Sequence, residues 1–467
     1  MTRRSSRRQF LQQSVLSGVG FWVAGGLSRA DSKSPNERLN FACIGVGGKG
    51  SSDTDHVAAL GNIVALCDVD SDFLGAKAQK YPKAKTYVDF RKMFDEMGKE
   101  IDAVTVSTPD HTHAVASVMA LRLGKHVYCQ KPLTHSVYEA RVMRELAAKM
   151  GVCTQMGNQG TAHNSLRTAV EIIRSGAIGP VREVHVWTNR PIWPQAPTIM
   201  ARPKIEDPVP EYLNWDLWLG PAPYRPYSHG NASADGKKRK RGTYHDFNWR
   251  GWWDFGTGAL GDMGCHTANM PFMALELQYP VTVEAECGDL NPETCPSWAT
   301  VVWEFPKRGD GPHQQAVKFF WYEGKKNGVK NLPPKELFQG ENPPGSGALV
   351  VGDKGTLYSP SDYGGTFKLL PAKEFEGYKP PPPTLPRNGK EDAGHKAEWV
   401  EAIRNKKPEI ALSNFAYAGL LTETILLGNV AMRVGKKLQW DGPNCRASNC
   451  PEADIYIRRP YRQGWTL

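Results

Sequence analysis

Between residues 39 and 157 short apolar runs alternate with stretches whose apolar residues recur every three or four positions. The runs at 40–46, 63–68, 103–107, 126–129 and 152–156 are too short for buried helices, so they predict strands. Helical patterns near 53–60, 73–81, 90–96, 113–123 and 137–149 lie between them. Strands alternating with helices of this length predict right-handed βαβ units and a doubly wound parallel sheet of Rossmann type.

From about residue 183 the pattern changes. Longer runs at 183–189, 282–288, 299–305, 316–322 and 366–370 are rich in β-branched and aromatic residues, and several alternate in polarity. Half-buried antiparallel strands have this alternation, so an α+β domain with an open, mostly antiparallel sheet is expected. One face of that sheet is suited to homo-oligomer formation. Pro-, Gly- and Trp-rich loops at 191–245 and 324–347 interrupt it, and helices are expected at 396–404 and 415–434. The organisation predicted is a Rossmann domain at 39–157, a substrate and oligomerisation domain at 158–440, and a tail at 441–467.

The first residues read as an address. Ser6-Arg7-Arg8-Gln9-Phe10-Leu11 follows the twin-arginine export pattern, a weakly apolar stretch runs from Val15 to Leu27, and Ser28-Arg29-Ala30 offers a small-residue cleavage site. That stretch is far shorter than the roughly 20 residues of a spanning helix, so no integral membrane span is expected there. Residues 1–30 are therefore expected to direct the chain through the twin-arginine machinery to the periplasm or beyond, with 31–38 as a linker. Four of the 58 basic residues fall in the first eight positions, which trims the mature share of the net charge of +10. The run Lys237-Lys238-Arg239-Lys240-Arg241 is read as a solvated loop, and no nucleic acid is expected as a partner. Nine cysteines without a Cys-x-x-Cys pair give no zinc site, and only Cys445 and Cys450 are spaced like a loop disulfide.

The chemistry begins where the first strand runs into Gly45-Val46-Gly47-Gly48-Lys49-Gly50. Gly45, Gly47 and Gly50 permit a tight turn that brings backbone N–H groups to a pyrophosphate at a helix N-terminus. Asp68 ends the second strand 18 residues after Gly50, placed to accept from ribose hydroxyls. No arginine follows it closely, which favours NAD over NADP. Thr108-Pro109-Asp110-His111-Thr112-His113 lies at the carboxyl edge of the sheet, where such folds bind ligands. The His-x-His spacing lacks a third ligand, so no metal is assigned, and His113 is expected to cap or line the nicotinamide pocket. Gln130-Lys131-Pro132 follows a buried strand directly, which puts Lys131 where it can exchange a proton with a substrate hydroxyl. In the second domain Asp262 and His266 stand four apart, on one face if the segment is helical, where a carboxylate orients an imidazole. Arg190, Trp193, Trp249, Arg250 and Trp253 are candidate sugar contacts, since flat sugar faces stack on tryptophan and arginine binds hydroxyls or a carboxylate.

In order and spacing these motifs resemble the glucose–fructose oxidoreductase / inositol dehydrogenase (Gfo/Idh/MocA) family over roughly residues 40–440. The resemblance implies that Lys131, from the family's Glu-Lys-Pro motif, and Asp262 and His266, from its Asp-x-x-x-His motif, form the catalytic set. It also implies cofactor contacts from Thr108, Pro109, His113, Gln130, Lys131 and Asn158, and sugars, polyols or their derivatives as substrates. Gln130 stands where the family usually has glutamate, and Asn269 where it often has aspartate. Three functions stay open at this point. One is a dehydrogenase, and another is a redox-neutral enzyme with tightly held NAD that epimerises, couples two sugars or cleaves a glycoside. The third is a carbohydrate-binding protein on a retired fold.

Overall fold

Six short strands, β1 (Asn40–Ile44), β2 (Asn62–Cys67), β3 (Lys85–Tyr87), β4 (Ala103–Val106), β5 (His126–Cys129) and β6 (Thr154–Met156), make one sheet. In this computed structural model, which describes residues 38–229 and 242–467, all pair in parallel in the order β3-β2-β1-β4-β5-β6. Residues 1–30 and the 237–241 cations lie outside the described residues. Helices α1 (Gly48–Ala58), α2 (Ser71–Lys80), α3 (Phe90–Met97), α4 (Asp110–Arg122) and α5 (Val137–Met150) provide the crossovers. β4 and most of β5 are buried, as parallel strands covered on both faces must be. Strand order reverses between β1 and β4, which opens a crevice at their carboxyl ends. β1 stops at Ile44, two residues before the expected end, because Gly45 turns to a φ of +77°. β3 escapes the sequence pattern because it is a three-residue edge strand with Lys85 and Thr86 exposed.

The second sheet has ten strands: β7 (Val181–Trp187), β8 (Thr282–Gly288), β9 (Trp298–Phe305), β10 (Val317–Lys326), β11 (Val329–Lys330), β12 (Gly347–Gly352), β13 (Thr356–Ser359), β14 (Lys368–Leu370), β15 (Leu438–Asp441) and β16 (Arg446–Ala447). Among these pairs only β7 with β10 is parallel. The alternation in β9 faces Ala299, Val301, Trp303 and Phe305 into the core. β12 and β13 were hidden in the sequence, because both are short and almost wholly buried and so do not alternate.

The remaining helices are α6 (Asn164–Arg174), α7 (Trp215–Leu219), α8 (Gly258–Thr267), α9 (Asn269–Ala274), α10 (Glu391–Asn405), α11 (Phe415–Val434) and α12 (Asp454–Ile457). Two late helices return to the first sheet's layer. Arg141 of α5 forks onto Glu423 of α11 at 2.8 and 3.1 Å, and Lys396 of α10 reaches Asp53 of α1 at 2.8 Å. α11 is long and apolar enough to cross a membrane, yet 83% of its apolar window is buried inside the protein, as in a core helix. Residues 441–467, expected as a tail, first add β16 to the second sheet and then return to the first sheet's layer. Arg459 is held by Glu139 at 2.8 Å and by the His111 carbonyl. Cys445 and Cys450, spaced as a loop disulfide would be, are both free and buried.

Candidate active site

The glycine loop leaves no room for side chains. A Cβ on Gly45 would stand 2.7 Å from the Ser107 carbonyl oxygen, and one on Gly50 would stand 1.9 Å from that of Gly45. On Gly47 it would strike the Phe73 ring at 2.3 Å. Such a turn at the start of α1 has the shape that admits a pyrophosphate. Asp68 closes it from β2: its Oδ2 accepts from Val46 N at 2.8 Å and its Oδ1 from Asp70 N at 3.0 Å. Each carboxylate oxygen can accept a second hydrogen bond, which fits a ribose diol. Further along, the buried Thr108 Oγ1 has no partner in the protein and lines the cavity, as a site for a carboxamide requires.

The cavity has a volume of about 590 Å³ and runs from this loop to Lys131, Asp262, His266 and Tyr363. Lys131 leaves the end of β5 and crosses to α8, where it donates to Asp262 Oδ1 at 2.8 Å and to the Asp262 carbonyl at 2.7 Å. Burial raises the Asp262 pKa, but the charges of Lys131 and Arg250 prevail and hold it at about 2. His266 was expected to take that carboxylate and does not. Lys131 occupies it, and His266 Nδ1 is buried without a hydrogen-bond partner, its ring edge-on to Tyr363 at 4.6 Å. Burial, and then the charge of Lys131, push the imidazole pKa well below its usual value. The ring is therefore neutral near neutral pH.

Of the other expected contacts, Thr108, Pro109, Gln130, Arg190, Trp193, Trp249 and Arg250 line the cavity. His113, Asn158 and Trp253 do not. The buried His113 ring spans the Thr108 and Pro132 carbonyls at 2.8 Å each, so it joins two loops that line the cavity and stays behind them. Asn158 donates to the Cys265 carbonyl at 3.3 Å and accepts from Ser413, which ties β6 to α8. Trp253 is core, donating to the Asn291 carbonyl at 3.1 Å. Asn269 bonds Thr161 and Tyr417, also away from the cavity. Gln130 donates to Asp53 Oδ2 at 2.7 Å, so the carboxylate at this spot comes from α1. Ser107, Lys49 and Lys396 complete its partners.

Several lining residues were missed. Asp110 starts α4 and is buried, with Oδ2 accepting from Thr257 N and Oγ1 at 3.1 and 2.6 Å. Burial pushes its pKa up to about 7, against the pull of Thr257 and Arg250. It stood in the quoted loop motif, but nothing in the sequence showed that Thr257 would bury it. The insertion after β7 also roofs the crevice. Ser71 N donates to the Tyr212 carbonyl at 2.8 Å and Asn214 N to that of Val69 at 2.9 Å, which fastens the insertion beside β2. From this anchor Leu217, Trp218, His245 and Phe247 reach the cavity. Trp218 Nε1 donates to His245 Nδ1 at 3.0 Å, so the other ring nitrogen donates to Asp70 Oδ2 at 2.8 Å.

Comparison with known proteins agrees with this geometry. Residues 39–158 match an oxidoreductase family's NAD-binding Rossmann fold, and residues 187–311 match the C-terminal alpha/beta domain of the same family, together over half of the chain. Inositol 2-dehydrogenase of Salmonella typhimurium is 30% identical over 155 residues, covering 32% of this chain and 45% of the relative. A glycosyl hydrolase family 109 protein of Solibacter usitatus is 29% identical over 196 residues, covering 38% and 44%. The chain thus spans under half the length of these curated relatives. Among solved structures, the WlbA dehydrogenase from Bordetella pertussis, in complex with NADH and UDP-GlcNAcA, superposes with a TM-score of 0.57 at 15% identity. That match covers 86% of this chain and 99% of the other. Aldose-aldose oxidoreductase from Caulobacter crescentus gives a TM-score of 0.54 at 18% identity, covering 86% and 100%. At these identities the structures speak for the fold. The chain belongs to the Gfo/Idh/MocA family of oxidoreductases and carries that family's NAD-binding Rossmann domain.

Proposed function

We propose that this chain is an exported, NAD-dependent oxidoreductase that acts on a sugar or polyol. The observation that carries the reading is the meeting of Lys131, Asp262 and His266 in the same cavity that the glycine loop lines. Bound along that cavity, NAD would supply a nicotinamide C4 able to take up or return a carbon-bound hydrogen as hydride. The residues of this chain handle the hydroxyl. Neutral His266 takes the hydroxyl proton as the carbonyl forms, and Lys131 hydrogen-bonds the same oxygen. Asp262 fixes the lysine's direction through two bonds from Nζ, so the amine acts from one position. Trp218, His245 and Phe247 of the insertion complete the wall over the site.

The same roof favours a redox-neutral cycle. A dinucleotide bound between the glycine loop and an insertion fastened to residues 69–71 would be slowed in leaving, and the hydride would then be best returned within one turnover. The transient keto sugar has an acidified α-proton, so epimerisation, coupling of two sugars or elimination of a glycoside are the reactions open to it. Export agrees with such a cycle, since little free dinucleotide is at hand outside the cytoplasm. It is supported by the Ser6–Leu11 pattern, and replacing Arg7 and Arg8 by lysine tests it by retaining the protein inside the cell.

The deciding experiment is to denature the purified protein and identify the released small molecule by mass. Release of NAD close to one per chain, with solvent deuterium entering the product and no net NADH, is the expected result. Protein that holds no dinucleotide and binds none when it is added overturns the reading.

A further inference from the structure

We infer that the sugar taken by this site carries an anionic group, a carboxylate in the first instance, gripped by Arg190 and Arg250. The inference rests on the reading that the Lys131 end of the cavity receives the sugar, and it adds the sugar's charge. Three cations converge there on one carboxylate. Lys131 Nζ takes Asp262 Oδ1 at 2.8 Å, Arg250 Nε stands 3.5 Å from the same oxygen, and Arg190 Nε stands 3.6 Å from Oδ2. Only the lysine is at hydrogen-bond distance, so Asp262 leaves both guanidinium forks unfilled.

The other acids of the cavity do not fill them either. Asp68 serves the glycine loop, and Asp246 follows His245, whose ring is bonded to Asp70 at the far end. Asp110 is turned to Thr257 and, raised to about 7 by burial, is only partly ionised near neutral pH. Arg190 Nη1 donates to Asn189 and Arg250 Nη1 to the Phe247 carbonyl. Among the described residues, neither Nη2 has a protein acceptor.

Arg250 also rests on two rings. Its guanidinium carbon lies 4.3 Å from the ring centres of both Phe247 and Trp249, within cation–π range. A half-empty fork is costly beside a second arginine drawn to the same carboxylate. An anion between the arginines removes that repulsion, and a planar carboxylate matches their geometry. Lys131 and Arg250 reach the same Asp262 oxygen, so the acid group and the reacting hydroxyl lie at one end of the sugar.

Calorimetry on the dinucleotide-loaded protein tests this with D-glucose, D-gluconate, D-glucuronate and D-glucose 6-phosphate as probes. At least one sugar acid should bind ~10-fold or more tighter than glucose, the size expected of a charge-assisted bidentate contact. Arg190→Met and Arg250→Lys should each remove most of that margin; the lysine variant keeps the charge but loses the planar fork. Equal binding of acid and glucose, binding of neither, or a margin untouched by both variants overturns the inference. Preference for the phosphate over both acids overturns the carboxylate assignment. Selective acid binding without any reduction of the bound dinucleotide keeps the inference and counts against the oxidoreductase reading, so the two fail separately.

Discussion

Lys131, at the end of a Rossmann strand, donates to both the carboxylate and the carbonyl oxygen of Asp262, on a helix of the second domain, at 2.8 and 2.7 Å. The two groups act as a unit, since each fixes the direction of the other. Lys131→Met and Asp262→Asn should each lower the single-turnover rate of dinucleotide reduction by ~10²–10⁴-fold. The double variant should lose little more than the worse single one, because groups that act together are not additive. Rapid-mixing absorbance of the reduced nicotinamide, with any sugar that reduces it, measures all three. Multiplied losses in the double variant would show that the pair works independently.

Asp110 should make stability depend on pH. In the unfolded chain its carboxyl ionises near the ordinary value of ~3.9, whereas in the native protein burial holds it at about 7. Between those values the unfolded state sheds the proton and the native state keeps it, so folding loses stability as pH rises, by about 4 kcal/mol at most. Above about 7 both forms are ionised and the loss stops growing. Asp110→Asn removes this dependence. Urea unfolding of both proteins at pH 5 and pH 8 should find the variant's advantage larger at pH 8. An equal gap at both pH values means that the carboxyl titrates normally.

The neutral Gln130 follows from Asp53. Gln130 Nε2 donates to Asp53 Oδ2 at 2.7 Å, while Lys396 and Lys49 reach the other oxygen at 2.8 and 3.0 Å. Those charges hold the Asp53 pKa below its usual value despite complete burial. A glutamate at 130 would set a second carboxylate against the first. Gln130→Glu should therefore destabilise the protein by on the order of 2 kcal/mol. Asp53→Asn in the same chain should recover most of that loss, since the amide again faces a carboxylate. Thermal melts of the two singles and the double give the coupling energy; a double variant as unstable as the sum of the singles would break the argument.

The Rossmann half was legible because its strands are apolar runs separated by helices, and because glycines, Asp68, Lys131 and the Asp262/His266 pair carry spacings with a chemical reason. What stayed hidden depended on partners far away in sequence. His113 looked like a pocket residue, but its ring spans two carbonyls behind the wall. The i,i+4 spacing of Asp262 and His266 promised a pair, but a lysine 131 residues away took the carboxylate. The Trp-rich insertion read as ambiguous until its backbone bonds to residues 69–71 set it over the crevice. Local pattern fixes which groups are present, whereas tertiary contacts decide which of them meet.

The glycines of the loop should differ sharply in what they tolerate. At Gly50 an added Cβ lies 1.9 Å from the Gly45 carbonyl oxygen, which is backbone and cannot swing aside. Gly50→Ala must push α1 away from β1 and open the cradle, so less than ~10% of the NAD retained by the parent protein should survive purification. At Gly48 φ is +47°, but no atom lies within 4 Å of the added methyl. Gly48→Ala should cost about 1 kcal/mol of left-handed strain and keep the dinucleotide. Mass analysis of the denatured variants reads both, with the melting curve reporting the strain. Full retention in Gly50→Ala would mean that the pyrophosphate does not depend on this turn, and the assignment of the crevice would fall with it.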